Sequence, residues 1–395
     1  MVAEASRNGL KVRAKGNCFS WAPHVATQGV SIALEGLNRI GEFDAKAGSI
    51  NVDAGVRLGD LTRALACHGM AVPSLSFLSD VSVGGAVATA THGTSPRWGT
   101  LSDFVESITL VLPSGDVRVV GAEAEQELRA ARASVGMLGV IVSLTLRVAP
   151  IPIVRFSQHR MSFDAFLATR HEILRRYSHV WVNWTLGTDQ VNVDCLEECP
   201  DSRTNGHSYI IGDNTVWRPG TKAPTLAHRV RRKLRTVGRH FGQRIRDRSW
   251  ADAFSFKTAW VSMQYGLPLS EIESAVSEIA TSRFSRRHVG RLLELKFLAG
   301  STKTMLGPNS NGDSVLFNML WQVVRSGADH AFDEFEDLMI ARKARPHWGK
   351  QHRSPTLAYM REAYSDWDDF ASVRDRFDPN RVFSIFDEGH FTLPS

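Results

Sequence analysis

Cysteine is scarce in this chain: four residues in 395, at positions 18, 67, 195 and 199. That is too few and too scattered for a disulfide framework, and a reducing cytoplasm fits best. The pair Cys195 and Cys199 has no matching second pair, so neither zinc nor another metal is expected. No run of about 18 apolar residues occurs, which argues against a membrane span. The first ten residues lack the charged-then-apolar pattern of a secretion signal. Neither the G-x-G-x-x-G spacing of a Rossmann fold nor a phosphate-loop lysine motif is present. There is no internal repeat and no low-complexity tract.

What is there is the composition of a soluble globular enzyme, with 43% hydrophobic and 22% charged residues. The length suggests two domains or three. The net charge of +6 is concentrated in Arg229, Arg231, Arg232, Lys233, Arg235, Arg239, Arg244, Arg246 and Arg248. No nucleic-acid motif accompanies this segment, so no nucleic-acid partner is expected. A solvated helix face is the favoured reading of 229–248, and contact with a membrane or a phosphorylated substrate is the less favoured one.

Along the chain, 11–14, 31–34 and 49–54 read as short strands, the last alternating around Ile50 and Val52. A helix follows with Leu58, Leu61, Leu65 and His68 on one side, and Gly69 as its stop. Strands 107–112 and 117–120 flank the turn Pro113-Ser114-Gly115-Asp116. Gly136-Met137-Leu138-Gly139 introduces the apolar strand 140–148. Pro150 and Pro152 then mark a boundary, giving a first domain over 1–150. Beyond it, strands 180–185 and 190–196 alternate with helices 269–281 and 331–341, which suggests a mixed sheet covered by helices over 151–340. The remainder, 341–395, ends in a turn and a short apolar anchor at 377–383.

Three segments of small residues, 16–23, 82–94 and 136–139, share the first domain. Glycines and hydroxyls let backbone N–H groups approach a large flat or phosphorylated ligand. Together the three could wrap a dinucleotide by backbone contacts alone.

At this point the sequence resembles a family. Val12-Arg13-Ala14-Lys15-Gly16-Asn17-Cys18-Phe19-Ser20-Trp21-Ala22-Pro23 is similar to the pyrophosphate loop of FAD-linked oxidases of the vanillyl-alcohol oxidase type. The run from Ser82 to Thr94 is similar to their flavin-cradling loop, and Ala131 to Ile141 to their third signature. Arg345-Pro346-His347-Trp348-Gly349-Lys350 resembles the His-Trp-x-Lys motif of the aldonolactone oxidase and alditol oxidase branch. Four motifs occur in the right order over nearly the whole chain.

The resemblance implies an α+β protein. An FAD-binding domain of this type would be joined to an antiparallel-sheet cap domain with covering helices, and 341–395 would return to the flavin. It implies that a CH–OH group of a sugar, alditol or aldonolactone gives a hydride to flavin N5. It implies that Gly16, Asn17, Cys18, Phe19, Ser20, Ser82, Gly84 and Gly85 hold the cofactor's pyrophosphate region. Thr89, His92 and Thr94 would then lie near the flavin, and Gly139 and Ile141 near the adenosine. Gly84 stands where relatives control oxygen access, so oxygen is an expected electron acceptor beside a carrier or quinone.

Several departures matter. Many relatives carry, where this chain has Phe19, a histidine bonded covalently to the flavin; a phenyl ring cannot form that bond, so non-covalent FAD is expected. The chain also begins inside what resembles the family's first helix, as if the first subdomain were trimmed or the start codon misassigned. Met263-Gln264-Tyr265 resembles a Met-Glu-Tyr strand with the acid replaced.

Alcohol oxidation needs a base for the hydroxyl proton and a cation for developing negative charge. Lys350 is the candidate cation, with His347 beside it. In a strand, Glu294 and Lys296 share one face while Leu293, Leu295 and Phe297 take the other. Relatives show Glu-x-Arg there, and lysine loses arginine's planar fork. His92 reads as a structural hydrogen-bonder to backbone rather than a base. The alternatives are a dehydrogenase of a modified or lipid-linked sugar, using an acceptor other than oxygen, and a catalytically silent FAD-binding subunit.

Overall fold

A computed structural model describes residues 1–76, 78–199, 207–210, 215–217, 260–310, 312–322, 328–353 and 356–385. The basic segment 229–248 lies outside the described residues. Strands β1 (Val12–Lys15) and β2 (Val30–Ala33) pair in parallel, so the first small-residue segment leaves the end of β1 as a loop. Strands β3 (Ile40–Asp44) and β4 (Ser49–Asp53) precede a helix, Leu58–Ala66, that buries Leu58, Leu61 and Leu65. The helix stops before His68, and Gly69 takes the left-handed backbone expected of a stop signal. After β5 (Met70–Ala71) come β6 (Val105–Val111), β7 (Val117–Val120), β8 (Val140–Arg147) and β9 (Ala149–Pro150). Five of these strands form an antiparallel sheet in the order β3-β4-β8-β6-β7.

The glycine-rich run is not wholly a loop: Val83–Ala88 is a short helix. Small side chains permit it, because Gly84 donates its N–H to the Ala54 carbonyl at 2.8 Å. A Cβ on Gly84 would lie 2.7 Å from that of Ala54.

The second part of the chain contributes β10 (Ile153–Ser162), β11 (His179–Thr185), β12 (Gln190–Glu198), β13 (His207–Ile210), β14 (Thr215–Trp217), β15 (Trp260–Pro268), β16 (Leu292–Leu298), β17 (Ser314–Gln322) and β18 (Arg345–Pro346). They make one sheet, ordered β14-β13-β10-β12-β11-β16-β17-β15-β18. The interleaving of strands and helices suggests a mixed sheet, but every pairing here is antiparallel. The helix Phe163–Arg176 carries the chain from β10 to β11 across a one-strand gap, which β12 fills in the opposite direction. The helical stretch between β15 and β16 leaves the same gap, and β17 fills it.

One face of this sheet buries Val182, Met263, Tyr265, Leu295 and Phe317 with Phe166, Ile279 and Phe335 from the helices. Residues of opposite parity, among them Ser262, Gln264, Glu294, Lys296, Asn318 and Leu320, therefore share the other face. The helices Leu357–Ala363 and Trp367–Phe377 rejoin the first core through Met360, Phe370 and Phe377. Among the described residues no helix is long and apolar enough to cross a membrane, and no cluster of His, Cys, Asp or Glu could hold a metal ion. All four cysteines are free thiols.

Candidate active site

All three small-residue segments line one cavity, with about 1750 Å³ of empty space when its open mouth is included. Several of its glycines allow close contact between the segments that form the walls. A Cβ on Gly16 would lie 1.9 Å from Ser82 Oγ, so the first and second segments touch where that glycine stands. Arg13 fastens one end of the cavity. Its guanidinium donates to the carbonyls of His24 (2.6 Å), Phe383 (2.8 Å) and Val135 (3.0 Å). The C-terminal turn thereby becomes a wall of the same cavity, and Phe383 lines it. Asp378 holds that turn by accepting from the N–H groups of Val382 and Phe383, both at 2.7 Å.

At the sheet end, residues 345–351 run beside β15 and make an excursion between two attachments. His347 N–H donates to the Gln264 carbonyl at 2.9 Å, and Gln351 N–H to that of Ser262 at 2.8 Å. Trp348 is the anchor of the turn: it is buried, donates Nε1–H to the Leu306 carbonyl at 2.8 Å and stacks on Tyr364. His347 Nδ1 accepts from Gly349 N–H at 2.9 Å, which assigns the remaining proton to Nε2. Burial, then His92 and Lys350, hold the His347 pKa well below its ordinary value, so the ring is neutral. Lys350 Nζ lies 4.4 Å from the centre of the Trp21 ring. Burial, with Lys296 adding to it against Glu294, pushes the Lys350 amine down to about 7.

Glu294 and Lys296 project from β16 into the cavity, their charged ends 3.3 Å apart. Burial alone would raise the Glu294 pKa. Lys296, a hydrogen bond from Asn318 and Lys350 outweigh it and hold the carboxyl below its usual value. His92 faces His347 with ring centres 5.1 Å apart. Its Nδ1 bonds to the Gly93 carbonyl at 2.7 Å, the backbone role read from the sequence. Burial and Lys296 push its pKa down to about 3, so at neutral pH the ring has no charge and no titratable reserve for proton transfer.

Of the residues singled out in the sequence, Gly16, Asn17, Cys18, Phe19, Ser20, Ser82, Gly84, Gly85, Thr89, His92, Gly139, Ile141, Glu294, Lys296, His347 and Lys350 line the cavity together. Thr94 is not among the lining residues. It is buried, donates its hydroxyl to the Val180 carbonyl and accepts from Phe297 N–H at 3.2 Å, so it ties the glycine-rich run to β11 and β16. Gly84 lines the cavity, but a side chain on it would point at Ala54. Sequence reasoning missed Arg13, Ser262, Asn318, Leu320 and Phe383 as lining residues. Asn318 carried a signal, since it stands alone as a strongly polar residue inside the apolar stretch 315–321.

A glycine-lined cavity ending at a buried carboxylate, two amines and two neutral imidazoles is the arrangement of a flavin-dependent oxidoreductase acting on alcohols. The comparisons with known proteins agree. The profile of the FAD binding domain matches residues 1–121, and that of D-arabinono-1,4-lactone oxidase matches residues 144–385. The chain is 28% identical over 393 residues to an L-gulono-1,4-lactone dehydrogenase of Mycobacterium tuberculosis, covering 97% of this chain and 90% of the relative. It is 25% identical over 413 residues to an L-gulonolactone oxidase of Mus musculus, and 25% over 399 residues to an alditol oxidase of a Streptomyces species, with the same coverage in each. The chain belongs to the D-arabinono-1,4-lactone oxidase family and is an FAD-dependent oxidoreductase acting on CH–OH donors.

Proposed function

We propose that the protein oxidises a secondary or primary alcohol of an aldonolactone, alditol or related sugar, bound between the cavity's glycine-lined part and the polar face of the nine-stranded sheet. The observation that carries this reading is the meeting in one cavity of the three glycine-bearing segments with Glu294, Lys296, His347 and Lys350. Residues 1–150 form the cofactor domain, 151–340 the cap, and 341–395 a segment returning to the site. Bound FAD supplies the hydride-accepting chemistry. It is held without a covalent tether, because Phe19 offers no atom for one.

Within the site, Glu294 accepts a substrate hydroxyl and Lys296 holds that carboxylate ionised. His347 donates from Nε2, its orientation set by Gly349. Lys350 in its protonated form stabilises the negative charge that develops as the hydroxyl proton passes to the Glu294 carboxylate and the hydride leaves. His347 is buried and Glu294 and Lys296 are largely so, which strengthens these interactions. Of the remaining residues on the sheet face, Leu320 is apolar, Ser262 and Asn318 are bonded to each other, and Gln264 turns a further amide to the cavity. The free thiols accord with a reducing cytoplasm.

Anaerobic mixing with L-gulono-1,4-lactone, D-arabinono-1,4-lactone and a set of alditols tests the reading through bleaching of the flavin's visible band. Bleaching by a lactone is the expected outcome. No bleaching by any of them removes the proposal. Re-oxidation with air against a dye then separates oxygen from another acceptor.

A further inference from the structure

Three side chains on the cavity face of the sheet form a directed chain across three strands. Ser262 on β15 donates its hydroxyl to Asn318 Oδ1 at 3.0 Å, and Asn318 on β17 donates from Nδ2 to Glu294 Oε2 at 2.7 Å. Ser262 and Asn318 are both buried. The two bonds fix the amide in one orientation, since a flipped amide would turn its oxygen toward a carboxylate and its N–H₂ toward the hydroxyl. Lys296 Nζ approaches the same carboxylate oxygen, Oε2. Glu294 Oε1 makes no hydrogen bond or ion pair with the described residues, and Glu294 lines the cavity.

The register explains why the chain forms. Glu294 and Asn318 are direct cross-strand partners, as are Asn318 and Gln264 on the next strand. Side chains at such positions stand about 5 Å apart on one face. Without Asn318, Glu294 would face only the amines of Lys296 and Lys350 and could turn its carboxylate about the last side-chain bond, a broad torsion with little preference of its own.

We propose that Asn318, itself clamped by Ser262, is a positioning residue for the reaction: it fixes the Glu294 carboxylate so that Oε2 is satisfied by protein and Oε1 is presented to a substrate hydroxyl. The inference rests on the functional reading above. Asn318 touches neither reacting atom, and its effect passes through Glu294. The charged groups facing that carboxylate are Lys296 from its own strand and Lys350 from the turn after β18. Asn183, opposite Glu294 on β11, is neutral and donates instead to Asp194 at 3.1 Å.

The test uses the flavin-loaded full-length protein and the variants Asn318→Ala, Ser262→Ala and Glu294→Gln. In anaerobic flavin reduction, Asn318→Ala should raise the substrate concentration for half-maximal rate about tenfold, the scale of one hydrogen bond to a charged group. The acid limb of its pH profile should move to higher pH, with Ser262→Ala smaller in the same sense. A second measurement needs no substrate: the infrared titration of the carboxyl band that is absent from Glu294→Gln. In Asn318→Ala that band should protonate at higher pH than in the wild type, because one donor to the ionised form is gone. Unchanged half-saturation and an unchanged acid limb in a folded, flavin-loaded Asn318→Ala overturn the proposal. So does an infrared titration identical to wild type. Failure of every sugar to bleach the wild-type flavin overturns the functional reading instead, and the infrared result still decides whether Asn318 sets the carboxylate.

Discussion

His24 and Trp348 lie 324 residues apart in sequence, and His24 Nε2 bonds to the Trp348 carbonyl at 2.8 Å. The ring is neutral, since burial, His352 and Arg13 depress its pKa well below the ordinary value. It thus donates to the carbonyl, and the turn carrying His347 and Lys350 is held by the loop that follows β1. A second tie runs from His352 Nδ1 to the Lys350 carbonyl at 3.0 Å. The backbone that presents Lys350 is fixed on both sides, and this gives its ammonium group a defined place in the cavity.

The Lys350 amine, pushed down to about 7, should leave its mark on the pH profile. If the protonated form is required, flavin reduction declines as pH rises through about 7. Lys350→Arg keeps its charge throughout, so its profile should lack that decline while its maximal rate falls through poorer geometry. Lys350→Met should slow reduction by orders of magnitude at every pH. Stopped-flow reduction between pH 6 and 9 reads all three, and a rate that climbs through pH 7 in the wild type would reverse the assignment and make Lys350 a base.

Acid should destabilise the protein before its carboxylates protonate. Burial, aided by Arg97, pushes His179 down to about 4, and burial pushes His352 down to about 4. The unfolded chain takes up these protons near pH 6.5 and the folded chain does not, so the stability is complete above 6.5 and is lost as pH falls toward 4. Each histidine contributes about 1.4 kcal/mol for every pH unit between the two values. The urea midpoint should therefore drop between pH 6.5 and 5, and a constant midpoint over that range would contradict the buried, neutral state of these rings.

Glycine substitutions should separate cofactor affinity from folding. Gly16→Ala places a methyl group against Ser82 and should weaken flavin binding at least tenfold by spreading two cradle segments. Gly84→Ala meets Ala54, including its backbone oxygen at 3.0 Å, and should lower the melting temperature of the flavin-free protein. Gly85→Ala meets the Ser82 hydroxyl at 2.9 Å, which can rotate away, and should be mild in both assays. Flavin fluorescence titration and thermal melts of the three variants check the ranking; a Gly85 variant as damaging as Gly16→Ala would refute it.

The proposed non-covalent binding of the flavin is open to a direct check. Acid precipitation of the purified protein should release all yellow colour into the supernatant. Colour that stays with the pellet would mean that another residue, with Cys18 the neighbouring nucleophile, is bonded to the flavin.

Much of this site could be read from the chain, for reasons that differ by residue. Strand alternation alone put Glu294 and Lys296 on one face, because a period of two leaves no other choice. The glycine-bearing segments announced themselves by composition, although the helix at Val83–Ala88 did not, since small residues in a short helix show no apolar stripe. The family resemblance draws Thr94 toward the cofactor, yet its hydroxyl is used by Val180 and Phe297. Asn318 and Ser262 belong to the site through a diagonal hydrogen bond between neighbouring strands, which joins residues 56 apart and has no local sequence mark. Phe383 is tied to the first domain by Arg13, a contact that no pattern near either residue reveals.

That contact also sets an order of events during synthesis. Arg13 leaves the ribosome 370 residues before Phe383. At about 5–20 residues per second the interval is some tens of seconds. Throughout it the nascent chain has the first glycine-bearing segment but lacks the wall that the last turn provides. A ribosome-bound chain ending before residue 378 should therefore emerge colourless.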